Sequence, residues 1–387
     1  MKLFFKFILK HLVRIFLHFF WLFPVNKKKI YFIVFRGTRF SCNPKYLYNY
    51  IVGKFGQGYS YVWEFKKEEK GRLVPYARTV RPKTFISLIE IFTSRFIITN
   101  NDFYWWIPIR KKQILVQTWH GGGAYKKVGV DEKWNSIFVK EQMLLAKNIT
   151  YYVSSSAKFT EVQSGSKNVP IEKFIKTGMP RNAIFFDYEK MNCLRKKVFD
   201  LYGLDNERKV ILYAPTFRGK PSWKLSNSQR DYGCLNFESI KKTIEERFGA
   251  GFLVLYRAHH LDSRLENYLP SFAIDASQYE DMQELLCAAD VLITDYSSTM
   301  WDFALTKKPC FLYAPDLQRY ASSRGFYTDP KTWPFPLAET EEQLALNIKN
   351  FDEAKFKVAV QKHLDDFGSY ENKDACEKIC KAIGLEV

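Results

Sequence analysis

The sequence contains no C-x-x-C pair, no G-x-S-x-G elbow, no G-x-x-x-x-G-K-[ST] loop, no G-x-G-x-x-G turn and no H-E-x-x-H helix. In turn, those absences remove the zinc ribbon or dithiol site, the serine hydrolase, the P-loop nucleotidase, the Rossmann oxidoreductase and the zincin. The seven cysteines are odd in number and scattered, so they make no disulfide framework and suit a reducing compartment. Low-complexity tracts and internal repeats are missing as well. Acidic residues are short, 41 against 59 Lys and Arg, which leaves a net charge of +18. Such a balance calls for a polyanionic partner: nucleic acid, anionic lipid or a phosphate-rich substrate. No RNP-like motif or helix-turn-helix signature accompanies the charge, so nucleic acid is not the expected partner.

A long uncharged apolar run is also lacking. Met1 to Val25 is rich in phenylalanine and leucine, yet Lys6, Lys10, Arg14 and His18 interrupt it every fourth residue. A spanning helix needs roughly 20 apolar residues with few charges. A secretory signal needs a small-residue cleavage site, and Trp-Leu-Phe-Pro-Val offers none. The pattern predicts an amphipathic membrane-surface helix over residues 1–26, its basic row on anionic headgroups and its phenylalanines inserted. Trp21 falls near the boundary, with Lys27, Lys28 and Lys29 behind it. A first helix packed on the protein's own core is the alternative.

What is present is α/β alternation. At 387 residues and 47% apolar, the chain suits two domains, each with its own core. Short β-branched runs predict strands at Ile30–Phe35, Arg95–Thr99, Ile114–Gln117 and Tyr151–Val153, and again at Val210–Ala214, Phe252–Tyr256, Val291–Thr294 and Cys310–Tyr313. Met282, Leu285, Leu286 and Ala289 follow helical spacing within a predicted helix Tyr279–Ala289. The charged helical stretch Arg181–Arg208 reads as the crossover between domains, placing them at 27–200 and 201–387. Two doubly wound Rossmann-like domains facing a cleft is the expected architecture.

Polar clusters follow four of these strands. Ile114–Gln117 runs into Thr118-Trp119-His120-Gly121-Gly122-Gly123, where the glycines permit close approach and His120 alone can move protons near neutral pH. Val210–Ala214 runs into Pro215-Thr216-Phe217-Arg218, and Phe252–Tyr256 into Arg257-Ala258-His259-His260. Val291–Thr294 runs into Asp295-Tyr296-Ser297-Ser298, a hydroxyl-rich turn before a helical pattern and so a candidate phosphate site. Each cluster also has an ordinary reading as a structural histidine, a surface arginine or a helix cap. Their recurrence at strand ends is what points to an enzyme that uses a nucleotide.

The order of segments resembles the CDP-glycerol glycerophosphotransferase family of teichoic-acid and capsule primases and polymerases. The likeness is carried by Gln117-Thr118-Trp119-His120-Gly121, Lys126-Lys127-x-Gly129 and Thr177-Gly178-Met179-Pro180-Arg181-Asn182. It continues in Tyr213-Ala214-Pro215-Thr216-Phe217-Arg218, Arg257-Ala258-His259, Thr294 to Ser298 with Asp302, and Arg324-Gly325-Phe326-Tyr327. The resemblance implies a GT-B fold with the acceptor on the first domain and the nucleotide on the second. It also implies transfer of an alditol phosphate from CDP-glycerol or CDP-ribitol to a hydroxyl of a lipid-linked or polysaccharide acceptor, with release of CMP. His120 becomes the general base, and Arg181, Pro215, Thr216, Arg257, His259, Ser297, Ser298 and Asp302 the donor contacts. Trp119 and Gly121 to Gly123 are counted with the substrate-binding residues, and His259 with His120 as catalytic. Two departures stand out: Arg-Ala-His-His replaces the frequent Arg-Pro-His-Pro, and Gly122 to Tyr125 replaces the polymerase-type Thr-Pro-Leu.

The chemistry fits these parts. Arg218, Arg257, His259 and the Ser297-Ser298 turn suit the charge on a departing nucleotide. No D-x-D or carboxylate cluster demands a metal, and no cofactor is expected. Peripheral attachment at the cytoplasmic face of a bacterial membrane is the expected location. A GT-B glycosyltransferase using a nucleotide sugar is the alternative.

Overall fold

The structure, a computed structural model, describes residues 2–67, 72–132, 136–216, 235–257 and 269–385. Thirteen strands among these residues form two sheets, every pairing in them parallel. The first has β1 (Asn26–Ile33), β2 (Ser60–Glu64), β3 (Ala77–Val80), β4 (Ser94–Thr99), β5 (Ile114–Gln117), β6 (Tyr151–Ser154) and β7 (Phe174–Lys176) in the order β3-β2-β1-β4-β5-β6-β7. The second has β8 (Lys209–Tyr213), β9 (Phe252–Tyr256), β10 (Ala273–Asp275), β11 (Val291–Thr294), β12 (Cys310–Tyr313) and β13 (Leu337–Ala338) in the order β10-β9-β8-β11-β12-β13. Both orders reverse beside their first strand, between β1 and β4 and between β8 and β11. Ligands of open α/β sheets bind at such switch points, outside the carboxyl ends of the strands.

The central strands read as continuous apolar runs because helices cover both faces of a parallel sheet. Leu115, Val116, Leu292, Ile293, Phe311 and Leu312 are all fully buried. The strands missed by sequence are short or lie away from the sheet centres: β2, β3, β7, β10 and β13. Three-residue segments such as Phe174–Lys176 carry no period to read. The expected helix Tyr279–Ala289 is shorter, Met282–Ala288, because Asp281 caps it by accepting from the Gln283 N–H at 3.0 Å.

The chain divides into two compact units, one of 1–122, 128–183 and 368–387, the other of 123–127 and 184–367. The helix Tyr188–Tyr202, expected with the first domain, belongs to the second unit. There its Arg195 pairs with Asp290 at 3.0 Å. Gly203, left-handed at φ 63°, caps its C-terminal end.

The N-terminal helix α1 (Lys2–Leu17) and the 3-10 turn His18–Leu22 pack on the first unit, and their polarity differs from expectation. Lys10 pairs with Glu141 at 2.7 Å, and Arg14 donates to the Trp105 carbonyl and, at 3.3 Å, to Asn148 Oδ1. Two of the four basic residues therefore face the protein rather than headgroups. Buried Phe20 stacks on Phe92 with centroids 5.2 Å apart. The opposite face leaves Phe4, Phe5, Ile8, Leu12, Ile15 and Phe16 exposed. Among the described residues, no helix is long and apolar enough to cross a membrane.

Candidate active site

In the second unit the switch point is built from the loops after β8 and β11. The Thr216 N–H donates to both Asp295 carboxylate oxygens, at 3.1 and 2.9 Å, and its hydroxyl donates to the same group. Thr294 Oγ1 donates to the Ala214 carbonyl at 2.7 Å. The two loops are thus tied across the crevice, and Asp295 is a holder of the site with its carboxylate turned inward. Tyr296 anchors the turn from below, buried with Ala314, Leu317 and Tyr320. Ser298 stands at the N-cap position of the helix Thr299–Ala304 but makes no side-chain cap bond. Ser297 Oγ accepts from the Thr299 N–H at a long 3.4 Å. The helix start therefore does not need the Ser298 hydroxyl.

Arg257 leaves the end of β9, its N–H donating to the Tyr213 carbonyl at 2.9 Å. Because β9, β8 and β11 are neighbours, Arg257, Pro215, Thr216, Ser297 and Ser298 gather at one carboxyl edge. Asp302 lies deeper: it is 1% exposed and accepts from Gln283 Nε2 at 2.9 Å. Arg218, His259 and His260 lie outside the described residues.

In the first unit His120 follows β5. Its Nδ1 is 2.8 Å from the Asn100 carbonyl, which can only accept, so Nδ1 carries the hydrogen and Nε2 keeps the lone pair. Dense surroundings push the imidazole pKa down to about 4. Burial dominates that shift, the Arg181 and Lys167 charges add to it, and the Asn100 bond and Asp102 oppose it. The ring is neutral at physiological pH and presents a base. Trp119 stacks against it with centroids 4.4 Å apart, and the Phe35 ring stands edge-on at 5.6 Å.

Arg181, expected among the donor contacts, lies in this unit. Its Nη1 donates to the His120 carbonyl at 2.8 Å. Trp119 takes a left-handed conformation, φ 53°, which costs a non-glycine residue about 1–2 kcal/mol. Lys167 sits 4.5 Å over its ring.

Residues 15–385 match the family described as CDP-Glycerol:Poly(glycerophosphate) glycerophosphotransferase. This chain belongs to that family. The transferase is 31% identical over 382 residues to the teichoic acid poly(glycerol phosphate) polymerase of Bacillus spizizenii, covering 94% of this chain and 93% of that one. It is 28% identical over 386 residues to the teichoic acid glycerol-phosphate transferase of Staphylococcus aureus, covering 92% and 93%. Among solved structures, the wall teichoic acid polymerase TagF superposes with a TM-score of 0.81 at 26% identity, covering 98% of this chain and 97% of that one. The architecture is accordingly GT-B-like, with two parallel sheets.

In this glycerophosphotransferase the glycines after His120 do not all open space for a ligand. Gly123 has φ 74°, and a Cβ there would lie 2.3 Å from the ring of Tyr125. The glycine lets Tyr125 fold back beside its own backbone and donate or accept at His363 Nε2, 2.9 Å away. The same segment joins the Arg324–Tyr327 motif: the Lys127 N–H donates to the Gly325 carbonyl at 3.1 Å, and the Tyr327 N–H to the Tyr125 carbonyl at 2.9 Å. Gly123→Ala is expected to destabilise the transferase by about 2–4 kcal/mol, from left-handed strain plus overpacking against Tyr125. Denaturant unfolding checks this, and an unchanged midpoint would contradict it.

Three residues of the site escaped the sequence reading: Asn100, Asn43 and Asp295 in its holding role. Asn100 had a signal, since Asn100-Asn101-Asp102 is a fifth polar cluster directly after a predicted strand. Asn43 had none, lying 75 residues before the Thr118 carbonyl that it holds.

Proposed function

We propose that this transferase moves glycerol phosphate, or another alditol phosphate, from a CDP-alditol to a hydroxyl of a lipid-linked or polysaccharide acceptor. The setting is teichoic-acid or capsule-type synthesis at the cytoplasmic face of the bacterial membrane. One observation carries the mechanism: the neutral His120 with Nδ1 committed to Asn100 and Nε2 left as acceptor. The acceptor hydroxyl gives its proton to Nε2 as its oxygen bonds to the alditol-bearing phosphorus. The bond from that phosphorus to the CMP oxygen breaks, and CMP leaves with the electron pair. General base assistance of this kind is worth roughly 10²–10⁴-fold. Arg257 and the hydroxyls of Ser297 and Ser298 serve the pyrophosphate, where charge grows as CMP departs, with Thr216 held beside them through Asp295. By the resemblance, His259 and Arg218 join them. Incubation with CDP-glycerol or CDP-ribitol and a glycerol-phosphate-primed lipid acceptor should release CMP. Release of UDP or GDP from a nucleotide sugar instead would overturn this reading in favour of a glycosyltransferase.

Membrane attachment belongs to the same proposal, with altered physics. Lys10 and Arg14 are engaged within the protein, so insertion of the exposed apolar face dominates over attraction to headgroups. Phe5 and Phe16 are 70% and 71% exposed, so Phe5→Ser with Phe16→Ser should leave the melting temperature nearly unchanged. The double variant should stop sedimenting with anionic vesicles, whereas the wild type should remain largely bound in high salt. Loss of wild-type binding on adding salt would show that the exposed lysines, not the phenylalanines, make the attachment.

A further inference from the structure

We propose that Glu371 and Asn43 are positioning residues for His120, so that the segment Gly368–Asn372 is a working part of the active site in the first unit. The inference rests on the general-base reading of His120. It starts from Gly178 in the Thr177–Asn182 motif. That glycine has φ 76°, and a Cβ there would stand 2.7 Å from the Tyr370 carbonyl oxygen and 2.9 Å from Glu371 Cα. The close approach puts the Glu371 carboxylate beneath the motif. Its Oε2 accepts from the Met179 N–H at 2.9 Å and its Oε1 from Asn182 Nδ2 at 3.0 Å. Glu371 thereby grips the chain on both sides of Arg181. The segment is itself tied down, Tyr370 N–H to the Ser155 carbonyl at 2.8 Å and Asn372 Nδ2 to the Thr177 carbonyl at 2.9 Å.

Arg181 passes the grip on. Its N–H donates to Asn43 Oδ1 at 3.2 Å, and its guanidinium holds the His120 carbonyl. Asn43, fully buried in the first turn of the helix Cys42–Phe55, donates through Nδ2 to the Thr118 and Trp119 carbonyls, both at 2.9 Å. Three successive carbonyls, 118 to 120, are thus fixed by two side chains. The loop includes the strained Trp119, which would relax if released. A fixed loop sets where His120 Nε2 points, and misplacement of about 1 Å can cost on the order of 10²-fold in rate. Neither Glu371 nor Asn43 is a proton donor or acceptor in the reaction; each acts through Arg181 and the loop.

The test uses the full chain with Glu371→Gln, Glu371→Asp, Glu371→Ala, Asn43→Ala and the double alanine variant. Glu371→Gln should lower kcat about tenfold and leave the donor KM within about twofold, the split expected of lost transition-state alignment. Glu371→Ala should cost more, and Glu371→Asp should recover part of the loss. The double variant should cost less than the product of the single effects, because both residues act on one loop. Histidine-selective NMR, with His120 assigned by its alanine variant, gives a second reading that does not depend on turnover. Loosening the loop admits water, so the His120 midpoint should rise toward its ordinary value in Glu371→Gln. The groups facing His120 are Arg181, Lys167, Asp102 and the Asn100 carbonyl, all retained in that variant. Wild-type kcat per folded molecule in Glu371→Ala, an unmoved His120 midpoint, or fully multiplicative single effects would each overturn the inference. If the wild type released no CMP from either CDP-glycerol or CDP-ribitol, the proposed reaction would fall, while the His120 midpoint would still decide the positioning role.

Discussion

His120→Ala should lose about 10²–10⁴-fold in kcat while CDP-glycerol still binds, because proton removal matters in the transition state and not in the ground state. The groups proposed to bind the donor, Arg257, Ser297 and Ser298, belong to the second unit's sheet edge, so donor affinity is expected to survive. The pH profile sharpens the test. Activity needs the neutral imidazole, and burial holds its pKa down to about 4. The acid limb of kcat should therefore fall only as pH approaches 4, and not near 6.5 as for an unperturbed histidine. Stability has its own sign. The unfolded chain takes up this proton near 6.5 and the folded one only near 4, so between those values the unfolded state binds more protons. Folding stability from this group is then intact above about 6.5 and declines as pH drops through that window. Single-turnover rates, donor binding and melting temperature on the variant separate the roles. A His120→Ala protein that is less stable but equally active per folded molecule would make His120 a packing residue.

Arg257→Ala should weaken the donor roughly 10- to 150-fold, the equivalent of a charged hydrogen bond of about 1.5–3 kcal/mol. The Ser297→Ala, Ser298→Ala pair should weaken it less, about 2- to 10-fold for each neutral bond of about 0.5–1.5 kcal/mol. The fold should tolerate both sets of changes. Ser298 makes no cap bond and Ser297 only a long one, so the helix after them barely depends on either hydroxyl. Isothermal titration with CDP-glycerol reads the affinities directly. Unchanged binding in all three variants would mean that the β11 turn is a plain strand-to-helix connection and that the donor sits elsewhere.

The sequence made the sheet centres and their loops legible because those features are local. β5, β9, β11 and β12 fall where their apolar runs predict, and His120, Arg257 and Asp295 stand just after β5, β9 and β11. Short strands such as β7 and β13 were invisible because they have too few residues for a period and are held by their neighbours. The basic row of α1 shows the limit of helical periodicity. A row of charges at four-residue spacing marks one face, but only packing against Glu141, Trp105 and Asn148 decides that Lys10 and Arg14 on it turn inward.

By itself, the sequence determined the α/β class, the polar clusters at strand ends, the family motifs and His120 as the one histidine placed after a strand of the first sheet. Each is written in a few consecutive residues. Only the tertiary structure decided what those residues do to one another. The order β3-β2-β1-β4-β5 brings Asn100 beside His120 and settles which ring nitrogen holds the proton. The fold also brings Arg181 to the His120 loop, 61 residues away, and Glu371 to Met179, 192 residues away. Hydrogen-bond partners that distant leave no trace in local pattern, since their pairing follows from sheet order and from where the chain returns.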